Sequence, residues 1–180
     1  YIYLKIRYNQ PTMKPTFIQS FQNPHIKAAR RLHKRRERDL QGLMLIEGSR
    51  ELSRALASGI HIEEVFLYSK LIANDEDRRT VDELKQKNIP IFEVNAGILE
   101  KIVYRGGSSC CVAVAQQQLR GIEHIPYSEI PLIVVIDSVE KPGNLGAILR
   151  SADGAGVTGV IASDERTDIY NPNVIRASLG

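Results

Sequence analysis

An asparagine and an arginine six residues apart carry the most chemistry in this 180-residue chain. Asn144 and Arg150 lie within residues 137–156, which read DSVEKPGNLGAILRSADGAG. Gly143 and Gly146 let the backbone approach a ligand closely, and the N–H groups at the start of a helix attract anions. An arginine among apolar neighbours needs a carboxylate, phosphate or carbonyl partner. These residue types are therefore able to bind an anion where a strand is followed by a helix.

A strand–loop–helix unit is expected to position the two side chains. Residues 132–136 form a solid aliphatic run, typical of a strand buried on both faces of a parallel sheet. The loop leads to a helix near 145–155 that Asn144 caps, and a second strand follows at 159–162. Ligands of open α/β sheets bind at the carboxyl ends of strands, where this loop lies. The pattern alone favours a generic crossover, in which the asparagine caps the helix and the arginine reaches the surface, because isolated glycine-loop matches are weak signals.

A basic segment near the N-terminal end is the second candidate site. Residues 1–42 contain ten Lys or Arg and two Asp or Glu, whereas the remainder contains fourteen and nineteen. Asn23-Pro24 predicts a helix N-cap followed by proline at the first helical position, in a helix that runs to about Leu40. The charge asymmetry predicts a polyanionic partner, although a solvated basic face is the alternative. The predicted phosphate contacts are Lys27, Arg30, Arg31, Lys34, Arg35, Arg38 and Arg105.

Strands and helices alternate between these two sites, which predicts a compact α/β sandwich. Residues 116–130 interrupt the alternation with three glutamines, a glycine and a proline, as a linker does. The predicted strands are 43–46, 64–68, 91–94 and 110–115, and the predicted helices are 49–57, 77–87 and 96–103. The predicted division is a tail over 1–22, a first domain over 23–117, a linker over 118–130 and a second domain over 131–180.

Other reactive residue types favour ordinary structural roles. Cys110 and Cys111 are adjacent, a spacing that suits neither a disulfide nor a zinc site, so we expect small buried residues of a cytosolic protein. The four histidines share no metal-ligand spacing, and no metal is expected. Glu47 is interpreted as structural at a strand end rather than facing a ligand. Tyr104 fits stacking on an unpaired base and packing in the core equally well.

Three stretches together resemble one enzyme family. Residues 142–153, PGNLGAILRSAD, resemble the first signature motif of the SpoU/TrmH (SPOUT) RNA ribose 2′-O-methyltransferases, whose active-site Asn and Arg map onto Asn144 and Arg150. Residues 23–27 with the basic helix, 45–48 and 106–109 resemble the N-terminal RNA-binding domain of that family. The implied fold class is α/β: a small ribosomal-protein-like α/β RNA-binding domain, then the first, incomplete half of a SPOUT (trefoil-knot) methyltransferase domain.

The resemblance implies methyl transfer from S-adenosylmethionine to a ribose 2′-hydroxyl of RNA, ribosomal rather than transfer RNA. Because arginine stays protonated, Arg150 suits holding a phosphate and polarising the 2′-oxygen better than acting as a base, with Asn144 orienting the loop. The complete protein is expected to be a cytoplasmic homodimer. Two further motifs of the family do not occur before Gly180, so most cofactor-binding residues are expected beyond it and this polypeptide is expected to be inactive. An RNA-binding module without methyltransferase activity is the alternative.

Overall fold

The computed structural model describes residues 16–104, 109–118, 121–126, 128–164 and 166–180. Within them, helices and strands alternate along the chain. The strands are β1 (Thr16–Ile18), β2 (Leu43–Glu47), β3 (Ile62–Leu67), β4 (Ile91–Val94), β5 (Cys111–Gln116), β6 (Ile133–Ile136) and β7 (Gly159–Ala162). The helices are α1 (Pro24–Arg31), α2 (Arg35–Gln41), α3 (Ser49–Ala57), α4 (Asp75–Gln86), α5 (Ala96–Ile102), α6 (Pro142–Gly154) and α7 (Pro172–Ser178).

The first sheet has five strands in the order β1-β4-β3-β5-β2. β4 runs parallel to β1 and β3, whereas β5 runs antiparallel to β3 and β2. Adjacent strand residues face opposite sides of a sheet, and Val65 and Phe66 are accordingly both fully buried but in different core clusters. One cluster includes Ile26 of α1 and Ile98 of α5, and the other includes Leu52 of α3. Helices thus cover both faces, which confirms the predicted α/β sandwich.

The second sheet is a parallel pair, β6 and β7, joined by α6. Ile136, Leu145 and Val174 form its core, so the predicted βαβ unit is confirmed. The prediction that β6 is buried on both faces is wrong for the described residues, because Val135 is 63% exposed. A sheet of two strands with one covering helix leaves its other face open.

The basic segment forms two helices, α1 and α2, rather than the single helix that was predicted. Asn23 caps α1 as expected, since its Oδ1 accepts from the backbone N–H of His25 at 2.9 Å. Leu32 is buried after the last turn of α1, and Arg38 of α2 donates to the carbonyl oxygens of Leu32 and His33 at 2.8 and 3.1 Å. These hydrogen bonds satisfy carbonyl groups at the end of α1, and they therefore stabilise the interruption between α1 and α2.

The first sheet begins earlier than the sequence indicated. β1 pairs with β4, with Phe17 opposite Glu93, so residues 16–18 belong to the sheet and not to the predicted tail over 1–22. Helix α7 was also not predicted. The other predicted elements are present, with ends shifted by about three residues or less. Within the described ranges, no helix is both long and apolar enough to cross a bilayer.

Helix α7 connects the two sheets. It packs against α6 on one side and against β2 on the other. Tyr170 and Ile175, from α7 and the loop before it, pack on the core of the first sheet. The two halves of the described chain therefore share an apolar junction.

Candidate functional site

Helix α6 carries both residues of the predicted motif, and it starts earlier than expected. Pro142 occupies its first turn and Lys141 is the N-cap residue, without a capping hydrogen bond from its side chain. The backbone N–H of Asn144 donates to the carbonyl of Lys141 at 3.0 Å, which places Asn144 inside the first turn. The prediction that Asn144 caps the helix is therefore wrong, because the fixed φ of proline suits the helix start. The Asn144 side chain is exposed at this end of α6.

Arg150 is also exposed on α6, six residues further along. Although Ala147, Ile148 and Leu149 precede it, no hydrogen bond or ion pair links its guanidinium to another described residue. An ideal α-helix rises about 1.5 Å and turns about 100° per residue, so a six-residue spacing separates Asn144 and Arg150 by about 9 Å and about 120°. A ligand that contacts both side chains must therefore extend along α6 and partly around it. That the two side chains share one cleft stays a prediction.

Hydrogen bonds tie together the carboxyl ends of β6 and β7, next to the start of α6. The hydroxyl of Ser163 donates to Asp137 at 3.0 Å, and the backbone N–H of Ser138, in the left-handed region, donates to Asp164 at 2.5 Å. These bonds fix the loop that leads into α6. The backbone N–H of Ser138 is the main reason that the pKa of Asp164 lies below its usual range, with the Thr167 hydroxyl and nearby backbone N–H groups adding to it. Asp164 thus remains a carboxylate that anchors the loop.

The opposite side of α6 is closed by α7. A Cβ at Gly146 would lie 2.9 Å from the backbone of Ala177 and Ser178, so only glycine allows this approach. A Cβ at Gly143, in contrast, would meet no atom within 4 Å. The contact with α7 therefore holds the side of α6 that carries Gly146, whereas the N-terminal turn of α6 remains accessible.

An open groove of about 460 Å³ lies between β6 and α6. Its lining is almost entirely apolar and includes Leu132, Val134 and Ile148, with the hydroxyl of Ser151 as a polar group. Such a surface suits an apolar group or another protein segment better than a charged ligand.

The basic surface is formed mainly by α1. Lys27, Arg30, Arg31 and Lys34 are all exposed, as predicted phosphate contacts must be. Arg35 is partly exposed and forms an ion pair with Asp39 at 3.4 Å. Arg105 lies outside the described residues. Phosphate binding by these side chains stays a prediction.

Arg38 requires a correction, because it is 1% exposed. Its Nη2 donates to the carboxylate of Asp168, 130 positions further along the chain, and its Nη1 donates to two carbonyl oxygens. A guanidinium enclosed in this way cannot reach a phosphate without leaving its partners, so Arg38 is removed from the predicted contacts. No sequence pattern, apart from its position after a strand, marked Asp168 as a functional residue or as the partner of Arg38.

Two alternatives left open by the sequence concern Glu47 and Tyr104. Glu47 is buried and accepts from the backbone N–H of Tyr104 at 2.5 Å, which agrees with a structural role. Burial raises the pKa of Glu47, although the Tyr104 hydrogen bond and the charge of Arg176 both oppose this increase. Tyr104 is half-buried and its ring packs edge-on against His33 at 5.5 Å. Cys110 and Cys111 are free and buried, as expected.

Family models match both parts of the chain. One described as an MRM3-like substrate binding domain matches residues 23–113, and one described as the SpoU rRNA methylase family matches residues 131–180. The chain belongs to the SpoU/TrmH family. In this SpoU/TrmH protein, the exposed basic helix α1 and the motif helix α6 thus fall in two different matched segments.

Relatives of this SpoU/TrmH protein include named rRNA methyltransferases. A Synechocystis protein described as an uncharacterized tRNA/rRNA methyltransferase is 31% identical and aligns over 91% of this chain and 58% of its own length. The 23S rRNA (guanosine(2553)-2′-O)-methyltransferase of Bacillus subtilis is 28% identical over 91% of this chain and 60% of its own length. The SpoU/TrmH chain thus spans about 60% of these relatives' length.

Solved structures agree with the arrangement of both sheets. An RNA 2′-O ribose methyltransferase is 39% identical, with a TM-score of 0.78 over 92% of this SpoU/TrmH chain and 62% of that one. An AdoMet-bound rRNA methyltransferase from Sinorhizobium meliloti is 27% identical, with a TM-score of 0.79 over 92% of this chain and 60% of that one. The expected α/β fold class, with the fold of part of a SPOUT methyltransferase, is therefore confirmed.

Proposed function

We propose that the full-length protein transfers a methyl group from S-adenosylmethionine to a ribose 2′-hydroxyl of ribosomal RNA. The observation that carries this proposal is the exposure of Asn144, in the first turn of α6, and of Arg150, further along the same helix. The guanidinium of Arg150 has no partner among the described residues, so it is available to an anionic ligand. The names of the relatives support RNA as that ligand.

Arg150 is proposed to bind the phosphate beside the target nucleotide and to polarise the 2′-oxygen. A ribose hydroxyl is a weak nucleophile until its proton leaves or is strongly polarised. Arginine remains protonated at any physiological pH, so it stabilises negative charge on the oxygen rather than accepting the proton. Fixed positive charge near a developing oxyanion lowers the barrier because it needs no reorganisation during the reaction.

Asn144 is proposed to contact the RNA directly. The expectation that its amide orients the loop finds no support, since no hydrogen bond joins that amide to a described loop residue. The loop is instead held by Ser138, Ser163 and Asp164. An exposed amide offers both donors and an acceptor, which suits a ribose or a base edge.

The exposed residues of α1 are proposed to bind the phosphate backbone. Such contacts fix the position of an RNA without selecting its sequence. Phosphate contacts supply most of the affinity, and they weaken as the salt concentration rises. The basic helix therefore supplies binding, and α6 supplies groups for the reaction.

The described residues do not by themselves fit S-adenosylmethionine. The groove beside α6 is apolar and offers a single hydroxyl, Ser151, whereas the methyl donor carries an adenine, ribose hydroxyls and a charged amino-acid group. We place the donor site beyond Gly180 and predict that residues 1–180 alone bind RNA without methylating it. A homodimer is proposed for the full-length protein, and the exposed Val135 and Val160 of the second sheet are available for such contacts. A cytoplasmic location stays a prediction.

A methylation assay on the full-length protein tests this function. The protein is incubated with methyl-labelled S-adenosylmethionine and with unmodified ribosomal or transfer RNA, and the labelled nucleotide is identified by digestion and mass spectrometry. We expect a 2′-O-methylnucleotide at a defined position of ribosomal RNA. RNA binding without methyl transfer would instead support a binding module, and a methylated base would contradict the proposed chemistry.

A further inference from the structure

The guanidinium of Arg38 joins the basic helices to the loop that follows β7. Its Nη1 donates to Leu32 and His33, in the connection between α1 and α2. Its Nη2 donates to Asp168, in the loop between β7 and α7. The fork of donors on an arginine has a fixed geometry, so these bonds set an orientation as well as a distance.

Asp168 in turn connects to the motif helix through α7. Its carbonyl accepts from the backbone N–H of Asn171 at 3.2 Å, and Asn171 is the N-cap of α7, with its side chain accepting from Asn173 at 3.0 Å. Helix α7 then packs on α6 at Gly146, where backbone and side chain leave no room for a Cβ. A continuous series of packed elements thus runs from Arg38 to the helix that carries Asn144.

Further contacts reinforce the same junction. Arg35 donates to the carbonyl of Arg166 at 3.1 Å, and the hydroxyl of Tyr170 donates to the carbonyl of Gln118 at 2.7 Å. The Arg38 contact differs from these because it is an ion pair whose arginine side chain is only 1% exposed, with Asp168 19% exposed. Replacing one member of a buried ion pair leaves the other charge without its partner, which opens or rearranges such a contact.

We propose that Arg38 and Asp168 form a latch that holds the RNA-binding surface of α1 at a fixed position relative to Asn144 and Arg150. Arg38 is thus a positioning residue for RNA methylation, an inference that rests on the proposed function. RNA held by α1 is presented to α6 in one geometry only. Because misplacing a reactant by about 1 Å can lower a rate about 100-fold, losing the latch affects the reaction more than the binding.

Asp168→Asn in the full-length protein tests this assignment, since it removes the charge and keeps the shape of the side chain. RNA affinity is expected to stay within twofold of wild type, while the single-turnover methylation rate at saturating RNA falls at least tenfold. Asp82→Asn, an equal loss of charge at an exposed position of α4, is the matched control and leaves both quantities unchanged. A rate within twofold of wild type in Asp168→Asn overturns the proposal.

A distance measurement tests the latch without requiring any activity. Spin labels replace the exposed Gln86 on α4 and Asp153 on α6, and both native cysteines are buried. Wild type is expected to give one narrow distance distribution, and Asp168→Asn a broader one. A broad wild-type distribution overturns the proposal even if Asp168→Asn does not fold. The proposal is also overturned if Asp168→Asn loses RNA affinity while its distance distribution stays the same as that of wild type. A wild-type protein that methylates no RNA refutes the proposed function but leaves this measurement decisive for the latch.

Discussion

Gly146 of α6 lies so close to Ala177 of α7 that a Cβ at position 146 would sit 2.9 Å from the Ala177 backbone. Gly146→Ala is therefore expected to push the helices apart. Overpacking typically costs about 1–3 kcal/mol, against roughly 1 kcal/mol gained from the helix propensity of alanine. We predict a net loss of up to about 2 kcal/mol in the free energy of unfolding, measured by urea denaturation.

Gly154→Ala is the matched control for this prediction. Gly154 ends the same helix, and a Cβ there would meet no atom within 4 Å. We expect this variant to be as stable as wild type or more stable, by up to about 1 kcal/mol. If the two substitutions changed the free energy of unfolding equally, the close approach of Gly146 to Ala177 would not be the cause of the loss.

Asp77 is predicted to stabilise the contact between α3 and α4. Burial alone would raise its pKa, but hydrogen bonds from Ser49 and from the backbone N–H groups of Ala73 and Asn74 outweigh burial and lower the pKa of Asp77. A lowered pKa means that the carboxylate stabilises the fold above its unfolded-state pKa, and that this contribution is lost as the pH falls through the folded-state value.

Asp77→Asn should therefore destabilise the protein by about 1–3 kcal/mol at pH 7, the range for hydrogen bonds to charged groups. The difference from wild type should shrink as the pH is lowered below about 4. Urea denaturation at several pH values measures both effects. Asp82→Asn, at an exposed position of the same helix, should change stability by less than about 0.5 kcal/mol. A pH-independent loss in Asp77→Asn would contradict the electrostatic explanation.

Glu47 should show the opposite pH dependence. Burial raises its pKa, so the folded state holds this proton more tightly than the unfolded state does. Stability from Glu47 is then complete below its unfolded-state pKa and is lost as the pH rises through the raised value. We predict that Glu47→Gln gains stability relative to wild type between pH 4 and pH 7. Glu100→Gln, at an exposed position, should show no such trend. If Glu47→Gln instead became more stable relative to wild type as the pH was lowered, that result would contradict this assignment.

The basic surface of α1 is tested by the salt dependence of RNA binding. Replacing Lys27 and Arg30 with glutamine should weaken binding and reduce the slope of log K against log salt by about one per lost contact. Filter binding at several salt concentrations gives both values. The control replaces Lys85 of α4 and Lys87, the residue after that helix, which are both exposed and lie close to acidic neighbours. An unchanged slope in the α1 variant would place the RNA elsewhere.

Local signals in the sequence predicted much of the fold. Asn23-Pro24 correctly marked the start of α1. The same Asn-Pro signal occurs at Asn171-Pro172, where it starts α7, so the sequence also contains a signal for that helix. Strand β1 was not predictable in this way, because three residues carry little periodicity and acquire their conformation by pairing with β4.

The candidate site was only partly predictable, for a related reason. The sequence correctly assigned Asn144 and Arg150 to the segment that follows β6, but proline moved the helix start and took the capping role from Asn144. The burial of Arg38 depends on Asp168, a partner 130 positions away. A run of basic residues cannot show which member turns inward, since that is decided by long-range packing.

The methylation rate of Arg150→Ala in the full-length protein tests the central claim most directly. Removing one preorganised group that stabilises developing charge costs about 100- to 1000-fold in rate, so we predict a loss of that size at saturating ribosomal RNA under single-turnover conditions. Arg150→Lys should recover part of the rate, because it retains the charge without the planar fork. Arg79→Ala, at an exposed position of α4, is the control and should match wild type. A rate for Arg150→Ala within twofold of wild type would contradict the account.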